Sequence, residues 1–174
     1  KPAKENAVSS EIISDIAGDA AGNIWVATMN GLNKWEPATG KWKVWLPNQP
    51  DTKRDLPNSL VWDIAFDKKG LLWVASDVFE FASFDEKSNS FTYYDWPAFV
   101  KTIQGKKTKA GYHSIQRFVQ KDEDEFWLGT NKGLVHLNTA TKTFTYLGGG
   151  YNADVLDIQW DAERQEVLLS ISGG

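Results

Sequence analysis

The sequence predicts an all-β fold, a partial β-propeller of about three four-stranded antiparallel blades plus the inner half of a fourth. Three observations predict it. A short apolar segment centred on tryptophan recurs as Ile24-Trp25-Val26-Ala27-Thr28, Leu72-Trp73-Val74-Ala75-Ser76 and Phe126-Trp127-Leu128-Gly129-Thr130, with a fainter Val167-Leu168-Leu169-Ser170. Such β-branched and aromatic runs read as buried strands. Aligned on Asp15, Asp63, Arg117 and Asp157, the copies start 48, 54 and 40 residues apart, which suits one four-stranded blade per copy. Turn residues recur at matching places between the runs.

Each unit opens on an inner strand: Ile13-Ser14-Asp15-Ile16, Val61-Trp62-Asp63-Ile64, Ile115-Gln116-Arg117-Phe118 and Val155-Leu156-Asp157-Ile158. From Asp15, Asp63, Arg117 and Asp157 it is ten residues to Trp25, Trp73, Trp127 and Val167. The first turns, Asp19-Ala20-Ala21-Gly22 and Asp67-Lys68-Lys69-Gly70, carry the Asp and Gly of a type I turn. Copy three breaks that pattern with Asp122-Glu123-Asp124-Glu125, and copy four has Asp161-Ala162-Glu163-Arg164. Second turns follow at Met29-Asn30-Gly31 and Asn131-Lys132-Gly133, where glycine permits positive φ. Copy two is one residue longer there, Asp77-Val78-Phe79-Glu80, with Glu80 in the glycine position. Outer strands read Lys41-Trp42-Lys43-Val44-Trp45, Ser90-Phe91-Thr92-Tyr93-Tyr94 and Thr143-Phe144-Thr145-Tyr146-Leu147, with one wetter face each. Blades are expected at about 8–46, 56–95 and 111–147, with a half-blade at 151–174, all in one propeller segment spanning 1–174. Three and a half blades are fewer than a closed ring typically has, so the expectation is a fragment, or a chain that pairs with a second copy or with further blades of a parent protein.

Composition narrows the function. Net charge is −4 and the pI about 5.2, without a basic stripe, which argues against nucleic acid. The chain has no cysteine, so disulfide and thiolate chemistry are absent. No apolar run has the length of a membrane span. Aromatics make up 13 % of the residues, nine of them Trp, a load that must be mostly buried.

The spacing Ile13, Ile16, Asp19, Gly22, Trp25-Val26-Ala27-Thr28, Gly31-Leu32 resembles the two-component regulator propeller repeat. Trp35-Glu36-Pro37, Thr39-Gly40, Trp42 and the lead-in Leu56-Pro57-Asn58-Ser59-Leu60 extend the likeness. The resemblance implies an extracytoplasmic, periplasmic sensor segment of a bacterial signalling receptor, upstream of histidine kinase, hybrid regulator or diguanylate cyclase modules. It is similar to glycan-responsive sensors, so a small-molecule or oligosaccharide ligand is expected. The WD-type signature is missing, and the Asp-x-x-Gly turns differ from the Asp-x-Gly of sialidase-type repeats.

Alternating strands put the second turns and the long links on one face of each blade. Long loops on a rigid scaffold are where binding usually lives. That face nominates Asn30, Arg54, Asp77, Phe79, Glu80, Trp96, His113, Asn131 and Lys132 as ligand-binding residues, with Asn48, Phe99 and Tyr112 beside them. The bland alternative is that the links only cap the blades. Trp25, Trp73 and Trp127 are read as core. Asp15, Asp63 and Asp157 are read as acceptors of backbone N–H bonds rather than a cation ring. The acidic run 122–125 lacks the spacing of a calcium loop, and His113 and His136 lie a blade apart, so no metal or cofactor is assigned. No catalytic residue is assigned either. The alternatives are a propeller lyase or glycoside-active enzyme using His113, Asp77 and Glu80, and an interaction scaffold without a small ligand whose half-blade edge pairs with another chain.

Overall fold

A computed structural model describes residues 6–47, 56, 59–76, 80–96, 98–100, 114–148 and 154–172. Its strands are β1 Ile13–Gly18, β2 Ile24–Thr28, β3 Gly31–Glu36, β4 Lys41–Trp45, β5 Val61–Phe66, β6 Leu72–Ser76 and β7 Glu80–Asp85. They continue as β8 Ser90–Tyr94, β9 Ile115–Asp122, β10 Glu125–Thr130, β11 Gly133–Asn138, β12 Thr143–Gly148, β13 Val155–Asp161 and β14 Glu166–Ile171. They form three four-stranded sheets in chain order and one two-stranded sheet, β13–β14. This is the partial propeller of three blades and an inner half-blade that the repeat predicts. The chain divides into two compact units, Lys1–Asp77 with Ala82–Tyr93, and Val78–Phe81 with Tyr94–Gly174.

In the first unit, the β1–β2 turn closes as a type I turn. The Gly22 N–H donates to the Asp19 carbonyl at 3.0 Å, and Gly22 has φ of 83°. Gly70 and Asp67 repeat it at 2.9 Å. Each inner strand carries a bulge where one residue has no partner: Ile13 faces Thr28 but Asp15 faces Ala27, and Val61 faces Ser76 but Asp63 faces Ala75. A bulge adds twist and re-aims the next side chain. Here that side chain is Asp15, whose Oδ2 accepts the Ile64 N–H at 3.0 Å. The Ser14 hydroxyl donates to the Val61 carbonyl beside it. Blade one is therefore bonded to blade two along their inner strands. Between them Trp25, Ala27, Leu32 and Trp45 pack with Leu56, Ile64, Leu72, Val74, Phe84 and Phe91.

In the second unit, β9 to β12 form the third blade. The bulge recurs in β9, with Ile115 opposite Thr130 and Arg117 opposite Gly129. It recurs again in β13, with Val155 opposite Ile171 and Asp157 opposite Ser170. Phe81, Phe118 and Phe126 meet edge to face, Phe81 at 5.0 and 5.7 Å from the other two. Phe144 is covered by Trp96 and Phe99, at 5.4 and 5.1 Å.

The structure corrects four readings. The link after β8 contains a helical turn at 98–100, where Asp95 accepts the Ala98 N–H at 3.1 Å as an N-cap. The fourth copy is shifted by one residue: Leu168, not Val167, pairs with Gln159 as Trp25 pairs with Ala17. Its turn is one residue out of step with the others, and Gln165 takes φ of 58° there. Trp96 is fully enclosed, because its indole fills the space between the helical turn and β12. Trp127 is only half-buried.

Candidate functional site

On the nominated loop face, the side chains of Asn30 and Asn131 brace neighbouring segments. Asn30 Nδ2 donates to the Ser9 carbonyl at 3.2 Å, holding the segment that leads into β1. Asn131 Oδ1 accepts the Ser114 N–H at 3.1 Å and does the same before β9. Lys132 offers its carbonyl to the Tyr146 hydroxyl at 2.8 Å. The Oγ1 of Thr28 and of Thr130 cap these turns by donating to Gly31 and Gly133 carbonyls at 2.9 and 2.8 Å. Trp96 is packing and not a stacking platform. Arg54, Asp77, Phe79 and His113 lie outside the described residues, as do Asn48 and Tyr112; Glu80 is placed only as the first residue of β7.

A concave site does appear, on the opposite end of the first unit. It is a cleft of about 270 Å³ between the two blades, at the β1–β2, β5–β6 and β7–β8 turns. Asp19, Ala21 and Trp25 form one wall; Phe66, Leu72, Phe84, Asp85, Glu86 and Lys87 form the other. Trp25 is stacked on Trp45 at 5.2 Å and meets Phe66 and Phe84 edge-on at 6.1 and 6.0 Å. Its Nε1 donates to Asp19 Oδ2 at 3.0 Å, and Trp73 repeats this with Asp67 at 2.9 Å. Asp19 also accepts the Ala21 and Asn23 N–H groups. Burial raises its pKa, but the donors from Trp25, Asn23 and the backbone outweigh that and hold it below the usual 3.8. The Ser88 hydroxyl and the Lys87 N–H hold Asp85 low as well. Lys34 is buried under these turns. It gives Glu86 a forked pair at 2.9 and 2.8 Å and lies 5.3 Å from the Trp25 ring centre. Neither Asp19 nor Lys34 was nominated from sequence. The signal for Asp19 was its spacing of six residues from Trp25, repeated by Asp67 and Trp73.

The third copy breaks this arrangement. Six residues before Trp127 stands Lys121, so the indole has no carboxylate below it. Trp127 Nε1 is buried without a hydrogen-bond partner. His136, across the β10–β11 ladder from Trp127, takes the place that Lys34 has opposite Trp25. Its Nε2 is also buried without a hydrogen bond, with Glu125 Oε2 at 3.6 Å. Lys121 reaches Glu125 at 2.5 Å. That bond lowers the Glu125 pKa against its burial, and the Lys121 and His136 charges add to it. Trp127 is half-buried, packed against the cluster of Leu134, Val155 and Ile158, with Trp160 of β13 at 6.3 Å. No group of three or more His, Asp or Glu is placed to hold a metal ion among the described residues.

The fold defines a segment of a β-propeller, with a cleft between its first two blades. More particularly, residues 7–30 and 55–77 match the family profile of the two component regulator propeller, so these stretches are repeats of that family. Solved structures share the fold across nearly all of the chain. The extracellular domain of the hybrid two component system BT3049 from B. thetaiotaomicron is 18 % identical, with a TM-score of 0.78 over 100 % of this chain and 23 % of its own. That of BT4673 from the same organism is 13 % identical, with a TM-score of 0.74 over 98 % of this chain and 21 % of its own. YCF48 from Cyanidioschyzon merolae is 17 % identical, with a TM-score of 0.62 over 94 % of this chain and 49 % of its own. The chain thus spans under a quarter of the two component system domains. Curated proteins give no match to the sequence.

Proposed function

We propose that the chain is a non-catalytic, ligand-binding sensor segment of a bacterial two-component-type signalling receptor, on the extracytoplasmic, periplasmic side. The observation that carries the reading is the pair of regulator propeller repeats, which supply one wall of the 270 Å³ cleft and part of the other. The cleft is the contact site within this reading. Its carboxylates favour binding over catalysis. A general acid or base works best with a pKa near the operating pH. Asp19 and Asp85 are shifted the other way, and Glu86 is tied to Lys34. They are fixed negative acceptors beside an apolar wall, a pairing suited to a polar ligand with one greasy face, such as a small molecule or an oligosaccharide unit. Among the described residues no helix is long and apolar enough to cross a membrane.

Thermal-shift screening of the chain against small molecules and oligosaccharides tests this. At least one compound should raise Tm, Asp85→Asn should abolish that rise, and assays for turnover of the same compound should stay flat. Turnover that Asp85→Asn removes would replace the sensor reading with an enzyme.

A further inference from the structure

Between the first two blades the protein twice sets one of its own ammonium groups against an aromatic face. Lys34 Nζ lies 5.3 Å from the Trp25 ring centre and donates to both Glu86 oxygens, at 2.9 and 2.8 Å. Lys43 Nζ lies 5.6 Å from the Trp45 ring centre and reaches the same carboxylate at 3.4 Å. An ammonium is drawn to the negative face of an indole, more strongly where water is excluded. Glu86 is thereby neutralised, and the space between the blades already stabilises cations on rings.

The other two carboxylates of the cleft have no such partner. Asp19 and Asp85 both line it, and among the described residues neither forms an ion pair. Asp19 accepts two bonds on each oxygen, all from neutral groups: the Ala21 and Asn23 N–H, the Asn23 amide and the Trp25 indole. Asp85 accepts the Lys87 N–H on one oxygen and the Ser88 hydroxyl on the other. A carboxylate has about four acceptor sites, so Asp19 is full and Asp85 has room for another donor. Both are held below 3.8, so both are ionised at neutral pH. Lys87 also lines the cleft, yet its charge is the smallest of the influences on Asp85. What the cleft lacks is a counter-charge, beside the half-buried ring of Phe66.

We propose that the cleft takes a small organic ammonium ion, which donates to Asp85, faces the charge of Asp19 across the cleft and lays an apolar body against Phe66. The inference rests on the cleft being the contact site and goes further by fixing the sign of the ligand's charge. An ammonium has donors only, which suits an acceptor with free capacity. A neutral hydroxyl bonds Asp85 as well but leaves two carboxylates uncompensated, and an anion is repelled by both. Lys34 opposes the ligand, because it supplies positive charge at the same rings.

Phenethylammonium, phenethyl alcohol and phenylacetate share an aromatic body and differ in charge. Each is titrated into the chain by isothermal calorimetry. The ammonium should bind about tenfold more tightly than the alcohol, because a charge-assisted bond replaces a neutral one, and phenylacetate should bind least. Raising the salt should weaken the ammonium and leave the alcohol unchanged. Asp85→Asn, at an exposed turn position, should bring the ammonium down to the level of the alcohol. Lys34→Met should tighten the ammonium without affecting the alcohol; far-UV circular dichroism checks that both variants fold. Equal binding of ammonium and alcohol overturns the inference while leaving the cleft a ligand site, and so does ammonium binding that Asp85→Asn leaves intact. Absence of binding by all three at millimolar concentration overturns it as well, and the sensor reading then rests on its own compound screen.

Discussion

Replacing an indole by a phenyl ring removes one N–H and a modest amount of apolar surface. The same change at Trp25 and at Trp127 should therefore have different costs. Trp25 is 2 % exposed and donates to the Asp19 carboxylate at 3.0 Å. A hydrogen bond to a charged group contributes about 1.5–3 kcal/mol. The missing ring area, roughly 40 Å² at ~25 cal/mol/Å², adds about 1 kcal/mol. Trp25→Phe should cost about 3 kcal/mol in all. At Trp127 the N–H is buried with nothing to receive it. Deleting an unsatisfied donor recovers part of its desolvation penalty, about 1 kcal/mol, which offsets the lost area. Trp127→Phe should be close to neutral. The gap of about 3 kcal/mol is more than a hundredfold in the unfolding constant. Urea unfolding by far-UV circular dichroism measures it, because loss of a tryptophan leaves that signal nearly unchanged. Hydrogen exchange of β2 and β10 amides reads the two units separately. Equal costs at the two positions would show that the Asp19 bond does not stabilise the blade, and that the third copy lacks nothing the first one has.

Four further outcomes follow from the same geometry. Asp19 is held below 3.8, so its bonds stabilise the fold fully above that value and the contribution is lost as pH falls through the lowered one. The stability gap between the parent chain and Asp19→Asn, from urea titrations at pH 6 down to 2, should therefore shrink in acid; a constant gap would contradict it. Glu86→Ala strands the ammonium of Lys34 beside Trp25 and should cost about 2 kcal/mol, since Glu36 at 3.7 Å compensates only in part, whereas Lys34→Met should be nearly neutral by the same unfolding measurement. A Cβ on Gly31 would meet the Trp45 carbonyl oxygen at 2.5 Å, at φ of 111°, so Gly31→Ala should lower Tm far more than Gly22→Ala, whose Cβ meets nothing within 4 Å. At Gly129 a Cβ would meet Val155 Cγ1 at 2.5 Å. Gly129→Ala should cost about 1–3 kcal/mol by overpacking, and Val155→Ala should rescue part of it in a double-mutant cycle.

Strand order was legible because each signal was local. Period-two apolar runs and Asp-x-x-Gly turns are spelled out within about ten residues, and they recur. The register of the fourth hairpin was not, because Asp161-Ala162-Glu163-Arg164 has no glycine to fix where the turn reverses. Lys142 at φ of 56° matches Gly40 at 65° and Asn89 at 49°, yet nothing in a lysine announces a left-handed position. Trp96 misled because an aromatic in a long link reads the same whether it stacks on a ligand or on Phe144. The cleft was missed for a different reason. It is made of turn residues from two blades, and only the spacing of Asp19 from Trp25 hinted that those turns point at the core. Loop length, used to choose a face, says where the chain has room to vary and not where two blades leave a gap.

The repeat also explains why the polar groups concentrate where they do. In the first unit a blade is joined to its neighbour twice: at the inner strand by Asp15 and Ser14, and at the outer turns by Lys34, Glu86 and the bond from Trp45 Nε1 to Asn89 at 2.8 Å. The apolar packing between these ends is non-directional and would tolerate a tilt. The hydrogen bonds at either end would not, because each has a fixed length and angle. A ligand wedged into the cleft works against the outer set only, leaving Asp15 and Ile64 as a pivot. The motion open to such a segment is therefore a splaying of two blades about their inner strands. Breaking the outer set with Glu86→Ala should loosen the β7–β8 turn to hydrogen exchange while the Ile64 amide stays protected. Loss of protection at both ends together would mean that the two blades move as one piece, and that the cleft cannot report its contents by opening.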